Sequence, residues 1–152
     1  MKRALALLGI FFLQACASPF MAPNPNRKES TEHIKILGDP WSCSFQIIHN
    51  HMPGSNTPPY AILSLWREDS GSSYAWIKVE RVWFYVGDEL VETTDEIEQG
   101  FTVLNQSNIN FNLRDLGEAN NYQNLRVMAR LRNSWGGSYL LKFEDVSPGI
   151  VY

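Results

Sequence analysis

Short runs of alternating apolar and polar residues, separated by clusters of Gly, Pro, Asn and Ser, dominate the chain. Such period-two alternation is the signature of β-strands that bury one face. Trp41, Cys43, Phe45 and Ile47 fall on one face of a first strand. Ala61, Leu63 and Leu65 do the same between Tyr60 and Glu68, with Tyr60, Ile62 and Trp66 opposite. From Tyr74 to Val86 the phase changes, because Ala75, Ile77 and Val79 give way to Val82, Phe84 and Val86, which predicts a bulge near Glu80 and Arg81. Gly87-Asp88 turns the chain into Leu90–Thr93, and Phe101–Leu104 follows. Ile109, Phe111 and Leu113 then alternate with Asn108, Asn110 and Asn112. Finally Leu125, Val127, Ala129 and Leu131 pair, across Asn133-Ser134-Trp135-Gly136-Gly137, with Tyr139, Leu141 and Phe143 as a hairpin. No segment has a helical period. The pattern predicts an all-β fold, a single antiparallel sandwich of seven to eight strands or a small barrel.

The first 15 residues have another character. Lys2 and Arg3 precede the uncharged apolar run Ala4–Leu13, the layout of an export signal. The run is too short to cross a bilayer, which takes roughly 20 apolar residues. It ends in Leu13-Gln14-Ala15-Cys16, which resembles the lipobox of bacterial lipoproteins. That resemblance implies cleavage before Cys16, diacylation of its sulfur and acylation of the new amine. It agrees with the physics of anchoring, since one acyl chain binds a membrane only reversibly and two or three hold. Ala17 stands where the inner-membrane retention signal of enteric-type bacteria has Asp, so the resemblance implies the outer membrane. Residues 16–33, with three prolines and no apolar period, read as a lipidated Cys followed by a flexible tether. The domain then covers 34–152, its main pattern ending near Ser147.

With 44 % hydrophobic and 19 % charged residues the chain is too apolar for disorder. Removing Lys2 and Arg3 with the signal leaves 11 basic residues against 16 acidic ones, a net charge of −5. That argues against a nucleic-acid partner. The strand count, the domain size and the closing segment Tyr122-x-x-Leu125-x-Val127-x-Ala129 are similar to an immunoglobulin-like or fibronectin-type sandwich. The pair of core cysteines of disulfide-bearing immunoglobulin domains is missing, and Tyr122 is only loosely like a tyrosine corner.

Candidate chemistry is sparse. Cys43 shares its phase with Trp41, Phe45 and Ile47 and reads as a buried, inert thiol. His49 and His51, two apart on a strand, could face one ion together with Cys43 or Met52 in a copper-type set. They read better as solvated histidines at a strand end. No Gly-x-Ser-x-Gly elbow, His-Glu-x-x-His pair or phosphate loop occurs, so an enzyme is not predicted, and no cofactor is implied. Asp88, Glu89, Glu92, Asp95, Glu96 and Glu98 form an acidic stretch, but a calcium loop starting at Asp88 would need Gly where Thr93 stands. Arg126, Arg130 and Arg132 lie on the polar face of one strand. They serve either as cross-strand partners for the acidic hairpin or as a site for an acidic partner. Trp135, at the tip of its hairpin, either folds over the sandwich end or stands exposed beside arginines, a hot-spot composition. Trp66, Trp76 and Trp83 read as packing or sheet-face residues.

The expectation is therefore a membrane-anchored envelope lipoprotein acting as a non-catalytic protein-interaction module. Its candidate partner-binding residues are Trp135, Arg126, Arg130 and Arg132. The alternative is a lipoprotein that binds a glycan, a peptidoglycan fragment or a metal ion.

Overall fold

Apolar alternation becomes strand pairing throughout the computed structural model, which describes residues 21–27, 32–50, 57–69, 77–101 and 108–151. The described strands are β1 (His33–Ile36), β2 (Asp39–Asn50), β3 (Tyr60–Arg67), β4 (Ile77–Val86), β5 (Glu89–Thr94), β6 (Ile97–Phe101), β7 (Asn108–Leu113), β8 (Leu125–Asn133), β9 (Ser138–Val146) and β10 (Pro148–Val151). A 3₁₀ turn at Gly117–Asn121 joins β7 to β8. One sheet runs β1-β2-β3-β7-β6, with β10 also on β2, and the other runs β5-β4-β8-β9. Apart from β1 and β10, these orders match A-B-E-D and C′-C-F-G of an immunoglobulin-type sandwich.

Among the described residues the expected seven to eight strands become ten through β1 and β10. Both span four residues, too short to display a period. β1 pairs antiparallel with the start of β2, and β10 pairs parallel with its end. The sixth strand also ends where the sequence pattern would begin it: β6 occupies Ile97–Phe101, and 102–104 fall outside the described residues. The predicted bulge is present, since the β4–β8 register slips between Val79 and Arg81.

The inner faces carry the alternating residues named above. Ala61, Leu63 and Leu65 of β3, Phe111 and Leu113 of β7, Val82 and Phe84 of β4 and Val127, Ala129 and Leu131 of β8 are all 1 % exposed or less. Burial of this apolar surface, at about 25 cal/mol per Å², is the main force holding the sheets together. Phe45 of β2 bridges them. Its ring meets Phe84 edge-on at 6.0 Å and Phe143 of β9 at 5.6 Å, the offset geometries that aromatic quadrupoles favour.

A second buried cluster lies outside the sandwich. Trp83, Tyr85 and Met128 point away from the core yet are 2 % exposed or less, with Leu140 packed beside them. Residues 21–27 reach this face. Tyr85 Oη donates to the carbonyl of Pro23 at 2.8 Å, and Lys142 Nζ donates to the carbonyl of Arg27 at 2.6 Å.

Candidate interaction surface

The β8–β9 hairpin is built around one buried side chain. Asn133, 3 % exposed, accepts the backbone N–H of Trp135 at 3.1 Å and that of Gly137 at 2.7 Å on its Oδ1. Its main chain closes the turn, with Asn133 N donating to Gly137 O and Gly136 N donating to Asn133 O. Gly136, at φ +84°, supplies the left-handed residue that the turn requires. An Asn side chain satisfying its own turn is a common local device, and here it leaves Trp135 65 % exposed. Of the two readings of Trp135, the exposed one is the geometry found.

A second tip adjoins the first. Ile36 pairs with Asp39, so Leu37 and Gly38 form a two-residue hairpin with both φ values positive, +56° and +92°. This is the type I′ pattern, which favours Asn-Gly. Leu37 is therefore strained, and it is also 53 % exposed. Its backbone N–H donates to Tyr139 Oη at 3.4 Å, and Asn133 Nδ2 donates to the same oxygen at 3.2 Å. Two large apolar side chains thus stand at adjoining turns at one end of the sandwich. The sequence did not mark Leu37, because Leu-Gly is a poor I′ signal.

The arginines share a face, as the alternation requires, but not the tip. Arg126 sits near the opposite end of β8. Its Nε donates to Glu144 at 2.9 Å, and its Nη1 donates to Gly87 O at 3.0 Å and to Asp88 at 3.3 Å. Arg132 pairs with Glu80 at 3.0 Å. The guanidinium of Arg130 lies 5.0 Å from the centre of the Trp83 ring, a cation–π contact worth about 0.5–1 kcal/mol. The acidic stretch is likewise spread out: Asp95 binds Arg81 and Glu98 binds Arg114, each at 2.8 Å. Cross-strand ion pairing is the arrangement this face adopts, and of the arginines only Arg132 lies close in chain to the Trp135 turn.

Asp88 and Glu144 respond to these contacts. Hydrogen bonds from Asn26 first, and from Arg126, hold the Asp88 carboxyl below the usual range. Burial works against Glu144, but bonds from Lys142 and Arg126 outweigh it and lower its pKa.

Cys43 is buried, and burial followed by the nearby Glu32 pushes its thiol up to about 12. His49 lies on the same strand, six residues or about 20 Å further on, too far to share an ion with Cys43. His51 and Met52 lie outside the described residues, as does Cys16. Among the described residues no group of three potential metal ligands converges.

A cleft of about 510 Å³ opens between β2 and β9, lined by Ser42, Phe45, Trp66, Lys142 and Glu144 among others. At its rim Ser42 Oγ donates to Glu68 Oε1 at 2.7 Å, while His33 Nδ1 lies 2.7 Å from the same oxygen and 3.0 Å from Ser42 Oγ. These residues resemble a hydrolytic triad only in composition. The serine hydroxyl and the imidazole both converge on the same carboxylate oxygen, so the carboxylate, not the imidazole, stands at the centre of the three. The chief effect is on Glu68, whose pKa is lowered by Ser42 and then by His33. Compared with known proteins, the chain matches no family model, no curated protein and no solved structure.

Proposed function

We propose that this protein is a lipid-anchored envelope protein of the bacterial outer membrane whose sandwich domain works as a non-catalytic interaction module. The observation that carries the reading is the pairing of Trp135, 65 % exposed on a turn fixed by Asn133, with Leu37, 53 % exposed on a strained turn beside it. Exposing two large apolar groups on rigid supports gains nothing for folding. It suits a partner pocket that desolvates them, and the rigid turns reduce the ordering entropy lost on binding. The lipobox Leu13-Gln14-Ala15-Cys16 supplies the address. Arg132, beside the tip, suits a rim carboxylate of the partner; Arg126 and Arg130 serve first as sheet-face partners.

Two measurements separate the parts of this reading. Cys16→Ser releases the protein from the membrane fraction if the anchor is right, and retention there removes the anchor. Trp135→Ala, with the strand signal in circular dichroism unchanged, abolishes a crosslinked complex formed by the full chain in cells. An unchanged complex removes the surface.

One observation favours a second reading, glycan or peptidoglycan-fragment binding: Trp66, 36 % exposed, stands at the wall of the cleft beside Ser42 and Glu144. Under it, muropeptide titration quenches tryptophan fluorescence saturably in the Trp135→Ala protein and not in Trp66→Ala. No saturable change at millimolar ligand discards it.

A further inference from the structure

Residues 21–27 have a definite course. Pro23 is held by Tyr85 at 2.8 Å, Asn26 Nδ2 donates to Asp88 Oδ2 at 3.1 Å, and Arg27 is held by Lys142 at 2.6 Å. Tyr85 belongs to β4 and Lys142 to β9, with β8 between them. Residues 21–27 therefore cross the outer face of the four-stranded sheet as a strap, beside the buried Trp83–Tyr85–Met128 cluster. Further on, Glu32 O accepts the N–H of Cys43 at 2.9 Å, and β1 runs on to the Leu37 turn. The strap begins at the β4–β5 turn end of the sheet, and the chain arrives at the Trp135 end.

Those two ends are well separated. Tyr85 pairs with Arg126 and Ile77 with Asn133, so seven residues of β8, about 24 Å, lie between the strap's start and the hairpin. From Cys16 to Pro23 is also seven residues, which reach at most about 25 Å even fully extended. A tether free as far as His33 would reach roughly 60 Å and impose no orientation. The exposed apolar side chains of the strap end, Met21 at 65 % and Leu90 at 43 %, fit the same picture. Leu90 stands directly across from Tyr85, on the face the strap crosses. The exposed Glu89 beside it keeps this end at the headgroups rather than in the acyl layer.

We propose that the strap orients the domain on the lipid surface, with the β4–β5 turn against the headgroups and the Trp135–Leu37 end held outward. This rests on lipidation of Cys16 and adds the polarity of the bound domain. The partner of the tip is then a macromolecule approaching from the aqueous side, and the lipid surface is the partner of the opposite end.

The test uses the full lipidated chain in phosphatidylcholine vesicles that carry an acceptor-labelled lipid. A donor fluorophore is placed on Glu89→Cys or Ser134→Cys, and Cys43, being buried, does not compete for the label. Energy transfer from position 89 should exceed that from position 134 by about twofold or more, given the separation along the sheet. A second pair, Asn124→Cys and Ser138→Cys, reads the same axis should either first variant fold poorly. Releasing the strap with Tyr85→Phe, Asp88→Ala and Lys142→Met together should narrow the difference. Equal or reversed transfer in protein that sediments with the vesicles overturns the orientation while leaving the anchor intact. An unchanged difference after release takes the role away from the strap. Protein that stays in the supernatant overturns the anchor and this inference with it.

Discussion

The Asn133 carboxamide oxygen accepts the backbone N–H groups of both Trp135 and Gly137, at 3.1 and 2.7 Å. The exposed tryptophan of the hairpin is thus positioned by the hairpin's most buried polar side chain. Asn133→Ala leaves both donors without that oxygen and costs about 1–3 kcal/mol in denaturant unfolding. It also weakens partner capture although Trp135 is untouched. Full capture by a destabilised Asn133→Ala protein would show that the turn does not preorganise the tip.

Leu37 supports an opposite pairing of effects. Its φ of +56° carries about 1 kcal/mol of strain that Asn tolerates better. Leu37→Asn therefore raises the unfolding midpoint while reducing partner capture. A variant that gains stability and binds as well as the parent would mark Leu37 as an accident of the turn.

Gly117 holds φ +49°, and a Cβ there would lie 1.9 Å from Glu92 Oε2, the oxygen that accepts the Glu118 N–H. Gly117→Ala should destabilise by about 2 kcal/mol, combining left-handed strain with loss of that bond. Adding Glu92→Ala relieves the contact but restores neither the bond to Glu118 nor the backbone freedom at 117, so thermal unfolding of the double variant stays near that of Gly117→Ala.

The Cys43 thiol, raised from 9.0 to about 12, fixes the sign of a pH effect. Between these values the native state binds the proton more tightly than the unfolded chain does. Its contribution is complete below about pH 9 and is lost as pH rises toward 12. Cys43→Ala flattens that alkaline slope. Ellman's reagent at pH 8 should leave native Cys43 unmodified and react with it in guanidinium.

The acid side runs the other way. Glu68, Asp88 and Glu144 all have lowered pKa values, so their contribution is present above the ordinary carboxylate range and fades as pH falls through their native values. Arg126→Met removes a partner of both Asp88 and Glu144. It should shallow the acid limb of the stability curve and make stability less sensitive to salt.

The strands that enclose the core were legible because a sheet with one wet face writes its burial into alternate residues. Phe45, Leu63 and Val127 fall where the pattern puts them, and the Val79–Arg81 bulge showed as a change of phase. Short elements without a period were not legible. β1 is four residues after a proline-rich stretch, and β10 follows Val146 after a single residue. The hydrogen-bonded course of Pro23 and Arg27 depends on backbone carbonyls, which carry no residue signature, and the Asn26 side-chain amide that reaches Asp88 is one polar group among many in that stretch. Trp83 alternates correctly with Phe84, but nothing in the sequence says that an outward tryptophan will be covered. The arginine strand was visible as a face. That Arg126 and Trp135 stand at opposite ends follows from strand length, and their separate partners follow from which strands adjoin β8.

The most direct measurement is site-specific photocrosslinking of the full chain in its own cells, with a benzophenone residue replacing Trp135, Leu37 or Gln46. Gln46 is exposed on β2, away from the tip. One discrete adduct of the same mass is expected at positions 135 and 37, absent at 46 and abolished at 135 by Leu37→Asp. Adducts of the same mass at all three positions, or none at 135 and 37, would contradict the proposed surface.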